Sequence, residues 1–228
     1  MRLPEKIQKS PLCDRYLHNR AFRGIVGVWG GTAANLAFAA FRFVLGALTA
    51  SVFLFSSAVY YLIIGGMRAS LGFAYRARTR RGGFSYECRL YRRTARLLFL
   101  LNLPMGGMIL LFVRTSPTVP YPGVTIYASA TYTFYMMTLS IVNLVKYRRV
   151  GSPILSAAKA LNFVAALFSL LGLQNALILT FSGEGAYRVM MNTLTGSAVY
   201  AAVIAVAIFM LRHPPKEPEE VPLEQIGK

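Results

Sequence analysis

The sequence predicts an all-α, polytopic membrane protein: six transmembrane helices in three hairpins, with both termini cytoplasmic. Three observations carry this reading. The 228 residues are 55% hydrophobic and only 14% charged, with a mean hydropathy of +0.48, whereas soluble domains are about a quarter charged. The apolar residues gather into blocks long enough to cross a bilayer. The basic residues fall almost wholly between alternate blocks.

Residues 1–23 are mixed and basic and form a cytoplasmic N-terminal segment. Ser10-Pro11 reads as an N-cap and first-turn proline, after which Leu12, Tyr16 and Leu17 form a short face for the membrane surface. The charged leader is too long for a cleavable signal, and no polar segment follows the first apolar run. From Gly24 to Gly66 the single charge is Arg42. One helix of that length would rise roughly 65 Å, about twice the hydrocarbon thickness. The block is therefore two spans, at about 25–45 and 52–70, joined by a tight turn at "GALTAS", Gly46 to Ser51.

Nine arginines lie between Arg68 and Arg96, with Glu87 the one acid among them. They read as a basic cytoplasmic loop. Span three follows at about 97–113, with Pro104 expected to kink or unwind it and Gly106-Gly107 to loosen it. Span four, about 123–145, comes after the turn-rich "RTSPTVPYPG". The basic loop "KYRRVGSP" leads to span five, about 157–182, whose helix begins at Ser152-Pro153. After the turn "GEGAYR" comes span six, about 189–211. The tail, 212–228, is rich in Pro and Glu and is expected to be a disordered cytoplasmic segment.

Six spans bring the termini to one face. That face collects 22 of the 25 Lys and Arg residues, and the other holds Arg42, Arg114 and Arg188. The positive-inside rule then makes both termini cytoplasmic. A net charge of +17 alone would suit nucleic acid. The alternation along the whole chain favours a bilayer with anionic phospholipid headgroups as the partner and disfavours nucleic acid. Asn35, Asn102 and Asn162 each lie in the first helix of a hairpin, a weak hint of an internal repeat.

The segments "YRRTARLLFLLNLPMGGMI" and "NLVKYRRVGSPILSAAKALN" resemble a group of uncharacterised six-span integral membrane proteins of gram-positive gut bacteria, over roughly residues 85–212. The resemblance implies a bacterial plasma membrane location and six helices. It carries no catalytic or binding residue.

Polar side chains inside spans are costly in lipid and are candidates for function. No Asp or Glu falls within a predicted span, and His18 and His213 lie outside them, which disfavours a proton relay. Gly31, Asn35, Arg42 and Gly46 fall within about 60° on a helix, with Ala39 beside them, a small polar stripe for close helix contact. Arg42 lies near the outer surface and reads first as snorkelling to headgroups; the alternative is an anion or substrate contact inside the bundle. Tyr127, Thr131, Tyr135 and Thr138 make a second stripe, suited to a polar cavity or to interhelical hydrogen bonds. Gln174, Asn175 and Asn192 join this candidate polar set.

Arg89, Arg92, Arg93 and Arg96 form one basic face if the helix extends below span three, a contact for anionic lipid or a protein partner. Cys13 and Cys88 lack metal-type spacing, and no metal or cofactor site is expected. Glu184 reads as a solvated loop acid near Arg188. No metalloprotease, Walker or nucleophile-elbow motif occurs, and no intramembrane His or Asp is placed to activate a serine. The chain is therefore not expected to be an enzyme. A transport-type or substrate-binding membrane subunit fits best. The alternative is an accessory or scaffold membrane protein that holds anionic lipid or a membrane partner through its arginines.

Overall fold

The computed structural model describes residues 20–80, 82–115, 123–146, 152–181 and 185–215. Six long α-helices fill them: α1 (Arg20–Thr49), α2 (Val52–Ala77), α3 (Gly83–Thr115), α4 (Gly123–Lys146), α5 (Pro153–Phe181) and α6 (Gly185–Arg212). No strand occurs among the described residues. Four of the helices, α1, α2, α5 and α6, are long and apolar enough to cross a membrane. The surface helix proposed around Ser10-Pro11, the loops at 116–122 and 147–151, Glu184 and the end of the tail lie outside the described residues.

The first turn falls where the small residues cluster. Ala50 takes a left-handed φ of 50°, and Ser51 N–H donates to the Gly46 carbonyl at 3.1 Å. That bond caps α1 in the manner of a Schellman closure. Ser51 then caps α2 by accepting from Leu54 N–H.

The arginine stretch is not a loop. Helix α2 continues to Ala77, a 3₁₀ turn covers Arg78–Arg80, and α3 starts at Gly83. Gly82 and Gly83 supply the positive φ angles, 99° and 56°, that the reversal needs. Most of the arginines are therefore displayed on two helices, because the apolar periodicity of both helices runs on beneath them: Leu71 and Ala74 on α2, and Tyr91, Ala95 and Leu98 on α3, are all buried. Burial also raises the Tyr91 phenol pKa, which keeps the ring neutral.

Packing departs from three sequential hairpins. Helices α1 and α2 pair as expected, but α3 lies along α6, and α4 lies along α5. Helix α5 touches each of the other five. It is apolar on nearly all sides, with Ala157, Ala158, Ala165 and Ala166 buried between neighbours, and a helix of that kind belongs in the middle. Helix α3 stays helical through Pro104, contrary to local unwinding. Its partner is set two residues further on, where the Tyr200 ring of α6 lies 2.9 Å from the position a Cβ on Gly106 would take. The Asn102 amide also donates to the Tyr200 carbonyl at 3.4 Å.

Glu87 ties the arginine end of the bundle together. Its buried carboxylate takes Arg78 Nη1 at 3.3 Å, the Ser152 hydroxyl at 2.6 Å and the Ile154 N–H at 3.5 Å. Pro153 opens α5 as the sequence indicates. The Ser152 hydroxyl, however, donates to Glu87, which caps the helix start from another element with a full negative charge. Arg78 is partly exposed, so the hydrogen bonds to α5 carry more of the effect than the ion pair. Glu87→Ala is expected to destabilise the protein by about 1–3 kcal/mol, and Glu87→Gln, which keeps an acceptor, by clearly less. Unfolding midpoints in detergent check the order; equal losses would contradict it.

Candidate functional site

The densest group of buried polar side chains lies between α1, α2, α4 and α5. It begins on α1, where Gly31, Asn35, Ala39, Arg42 and Gly46 are all buried. The small residues of the stripe let α2 approach closely.

Arg42 does not snorkel. It is 3% exposed, and its Nη1 donates to the Ser57 hydroxyl of α2 at 3.0 Å. Ser57 passes its own proton to the Leu54 carbonyl at 2.8 Å. The guanidinium carbon lies 4.9 Å from the Phe38 ring centroid and 5.7 Å from that of Tyr61. Cation–π contacts of this kind contribute about 2 kcal/mol when desolvated. On the far side is Gly172 of α5, where a methyl would overlap the guanidinium. Arg42 turns inward because its own helix faces α2 and α5 at that position, leaving no path along the helix to the headgroups.

Arg68 is the second buried cation and belongs to α2, not to a basic loop. It is fully buried, and its Nη2 donates to the Gly27 carbonyl of α1 at 3.2 Å. The guanidinium packs against Gly31, where a methyl group would overlap it. Any residue larger than glycine there would push Arg68 away.

Tyr132 of α4 joins the two. Its hydroxyl donates to Asn35 Oδ1 at 2.6 Å. Its ring stacks on Phe38 at 3.7 Å between centroids, inclined by 5°. Tyr61 meets Phe38 and Tyr132 edge-on, and Phe168 of α5 closes the aromatic wall against Tyr60 at 4.2 Å. Thr133 Oγ1 donates to the Ser169 carbonyl at 3.2 Å, fixing α4 on α5.

The hydrogen-bonding capacity of this group is only partly used. Arg42 Nε, Arg68 Nε and Nη1, Asn35 Nδ2 and the Tyr60 hydroxyl are buried without a hydrogen-bond partner. Glu87 is the only acid among the described residues, and it is engaged by Arg78, Ser152 and Ile154. Two guanidinium groups thus share an apolar interior with no carboxylate beside them. At 1.5 Å per residue, Arg42 lies roughly 10 Å and Arg68 roughly 24 Å from the Ala50 turn, a column about 14 Å tall.

The other predicted residues fare differently. The stripe Tyr127, Thr131, Tyr135 and Thr138 faces outward, with Tyr127 77% exposed. The buried face of α4 is Ser129, Tyr132, Thr133, Met136 and Ser140. Both faces carry hydroxyls, so composition does not choose between them; the aromatic stack on Phe38 does. Gln174 and Asn192 contribute to the seam of α5 with α6. Gln174 Nε2 donates to the Met191 carbonyl at 3.3 Å, while Asn175 and Asn192 are buried with unpartnered amide atoms. Arg89, Arg92, Arg93 and Arg96 are all exposed along α3. Among the described residues no three His, Cys, Asp or Glu side chains gather as a metal site would require.

Sequence reasoning missed Arg68, Tyr60, Tyr61, Ser57 and Tyr132. A signal was present on α2: Ser57, Tyr61, Ile64, Arg68 and Leu71 recur at steps of three and four, so Arg68 lies on the buried face. The chain matches no protein-family profile, no curated protein and no solved structure.

A buried charge that is incompletely solvated opposes folding, and an apolar residue of similar volume often stabilises by about 1–4 kcal/mol. Arg68→Met is therefore expected to leave the unfolding midpoint unchanged or raised. Gly31→Ala is expected to lower it by about 1–3 kcal/mol in the natural background and to be near neutral alongside Arg68→Met. An unchanged Gly31→Ala effect in the double variant would contradict the packing.

Proposed function

We propose that the chain is a six-span protein of a bacterial plasma membrane, with both termini cytoplasmic, and that it is a transport-type or substrate-binding subunit for a small anionic solute. One observation carries the reading: Arg42 and Arg68 are buried in one column with unsatisfied donors and, among the described residues, no neighbouring carboxylate. Intramembrane cations of this kind are costly and mark solute pathways. An arriving anion would gain charge-assisted hydrogen bonds from donors already fixed in place by Ser57, Gly27 and the aromatic wall.

The topology rests on the charge distribution, 21 cationic residues against two once the buried Arg68 and Arg42 are left out, and on four helices of spanning length and apolarity. Helices α3 and α4 complete six spans, with α3 contributing its basic first half to the cytoplasmic interface. Trp29, the one tryptophan, meets Phe73 edge-on at 5.0 Å and lies beneath the Arg76 guanidinium at 5.4 Å near that same end, an arrangement that suits a membrane interface. The reading is non-enzymatic: the column offers cations and hydroxyls but no general base. The resemblance to six-span proteins of gram-positive gut bacteria is consistent with this placement.

The test is thermal unfolding of the purified protein in nanodiscs against chloride, phosphate, sulfate and a set of mono- and dicarboxylates. At least one anion at about 100 times its dissociation constant is expected to raise the midpoint by about 5–10 °C. That shift is expected to disappear in Arg42→Gln and Arg68→Gln. The absence of any anion-dependent shift, or a shift that survives both substitutions, would overturn the proposal.

A further inference from the structure

The geometry points to a bound anionic phospholipid in the groove between α2 and α3, with its phosphate on Arg93 and one acyl chain running along the groove. This site is separate from the buried arginine column, and it requires only that the arginine end of the bundle meets a membrane leaflet.

The groove is open to the surface and encloses about 580 Å³. Its walls carry apolar side chains from both helices: Met67, Phe73 and Ala74 on α2, and Leu90 and Leu97 on α3. Arg93 projects from the same wall, one helical turn nearer the 3₁₀ reversal than Leu97. Ser70, Thr94 and Tyr86 add hydroxyls along it. A long apolar trough with a cation on its rim complements a lipid with an acyl chain and a phosphate. A water-soluble anion would use the cation and leave the trough unfilled. A polypeptide helix would have to bring an acidic side chain to Arg93 as well as fill the apolar walls.

The position along the bundle fits. Phe73, in the groove wall, meets Trp29, and Arg76 covers the other part of that indole. Amphipathic rings of this kind favour the headgroup level. Arg93 therefore stands near the phosphates, with Met67 and Leu97 one turn further towards the hydrocarbon and Leu90, Tyr86 and Ala77 on the side of the reversal. Arg89, Arg92 and Arg96 are exposed on the same helix and raise the local positive potential, but Arg93 alone of the four lines the groove.

That difference makes the test sharp. The full-length protein is extracted in mild detergent with equimolar phosphatidylglycerol and phosphatidylcholine, and retained lipid is measured by native mass spectrometry. The protein is expected to keep phosphatidylglycerol in preference. Arg93→Gln should lower its retention by about fivefold, and Arg92→Gln should leave it within about twofold. Ser70→Trp, at an exposed position, fills the trough without changing charge and should reduce retention as much as Arg93→Gln. Size-exclusion profiles confirm that each variant stays folded. Equal losses in Arg92→Gln and Arg93→Gln would make the binding a diffuse surface effect and overturn the site. Retention indifferent to Ser70→Trp, competition by inorganic phosphate alone, or a co-purified polypeptide in place of lipid would overturn it as well. None of these outcomes bears on the anion shift of the buried column.

Discussion

The insertion of Arg68 from α2 into α1 fixes the register of the first hairpin, at no gain in stability over an apolar side chain of its size. A guanidinium carries five donors and keeps its charge. Inside a helical bundle it must find oxygen atoms or leave. Here the Gly27 carbonyl accepts one donor, and the bare face of Gly31 gives the group room. With Arg68 held there, α1 and α2 share a register that also carries Arg42 to Ser57 and Phe38 to Tyr61. Tyr132 of α4 then closes on Asn35 and stacks on Phe38. The aromatic wall and the polar column are thus one construction, built from four helices.

Much of this construction is stabilised locally and compensated at the ends. Serine and threonine hydroxyls at 32, 49, 57, 70, 169 and 193 return their protons to carbonyls three or four residues back in their own helices. They therefore need no partner on another helix. Glu87 satisfies the start of α5 from the base of α3 and holds the central helix to the arginine reversal. The column remains partly unsatisfied, as do Asn175 and Asn192 in the seam of α5 with α6. Natural sequences tolerate such groups where function asks for them, at a cost in stability.

The sequence reveals helix existence better than helix neighbours. Six helices and the Gly46–Ser51 turn are legible because helix length and turn chemistry are local properties. The pairing of α3 with α6 is not, since it depends on Gly106 receiving Tyr200 almost a hundred residues away. The α1 stripe could be read because Gly31, Asn35 and Arg42 contrast with apolar neighbours on every other face. The α4 stripe at Tyr127 faces outward, and composition does not reveal this, because the Tyr132 face carries hydroxyls as well and only its stack on Phe38 selects it. Arg68 was hidden by its company: eight further arginines follow before Leu97, and charge counting assigns them together. Helical phase separates it from them, placing Arg68 inside while Arg89, Arg92, Arg93 and Arg96 stay outside.

The central claim is that positive charge in the column lacks a counter-charge among the described residues. Ser57→Asp tests it most directly, because the Ser57 hydroxyl already lies 3.0 Å from Arg42 Nη1. Unfolding midpoints are measured with and without added anion. A carboxylate supplied there is predicted to raise the midpoint in anion-free buffer and to shrink or remove the stabilisation by external anions. A lowered midpoint in anion-free buffer, together with undiminished anion dependence, would contradict the account.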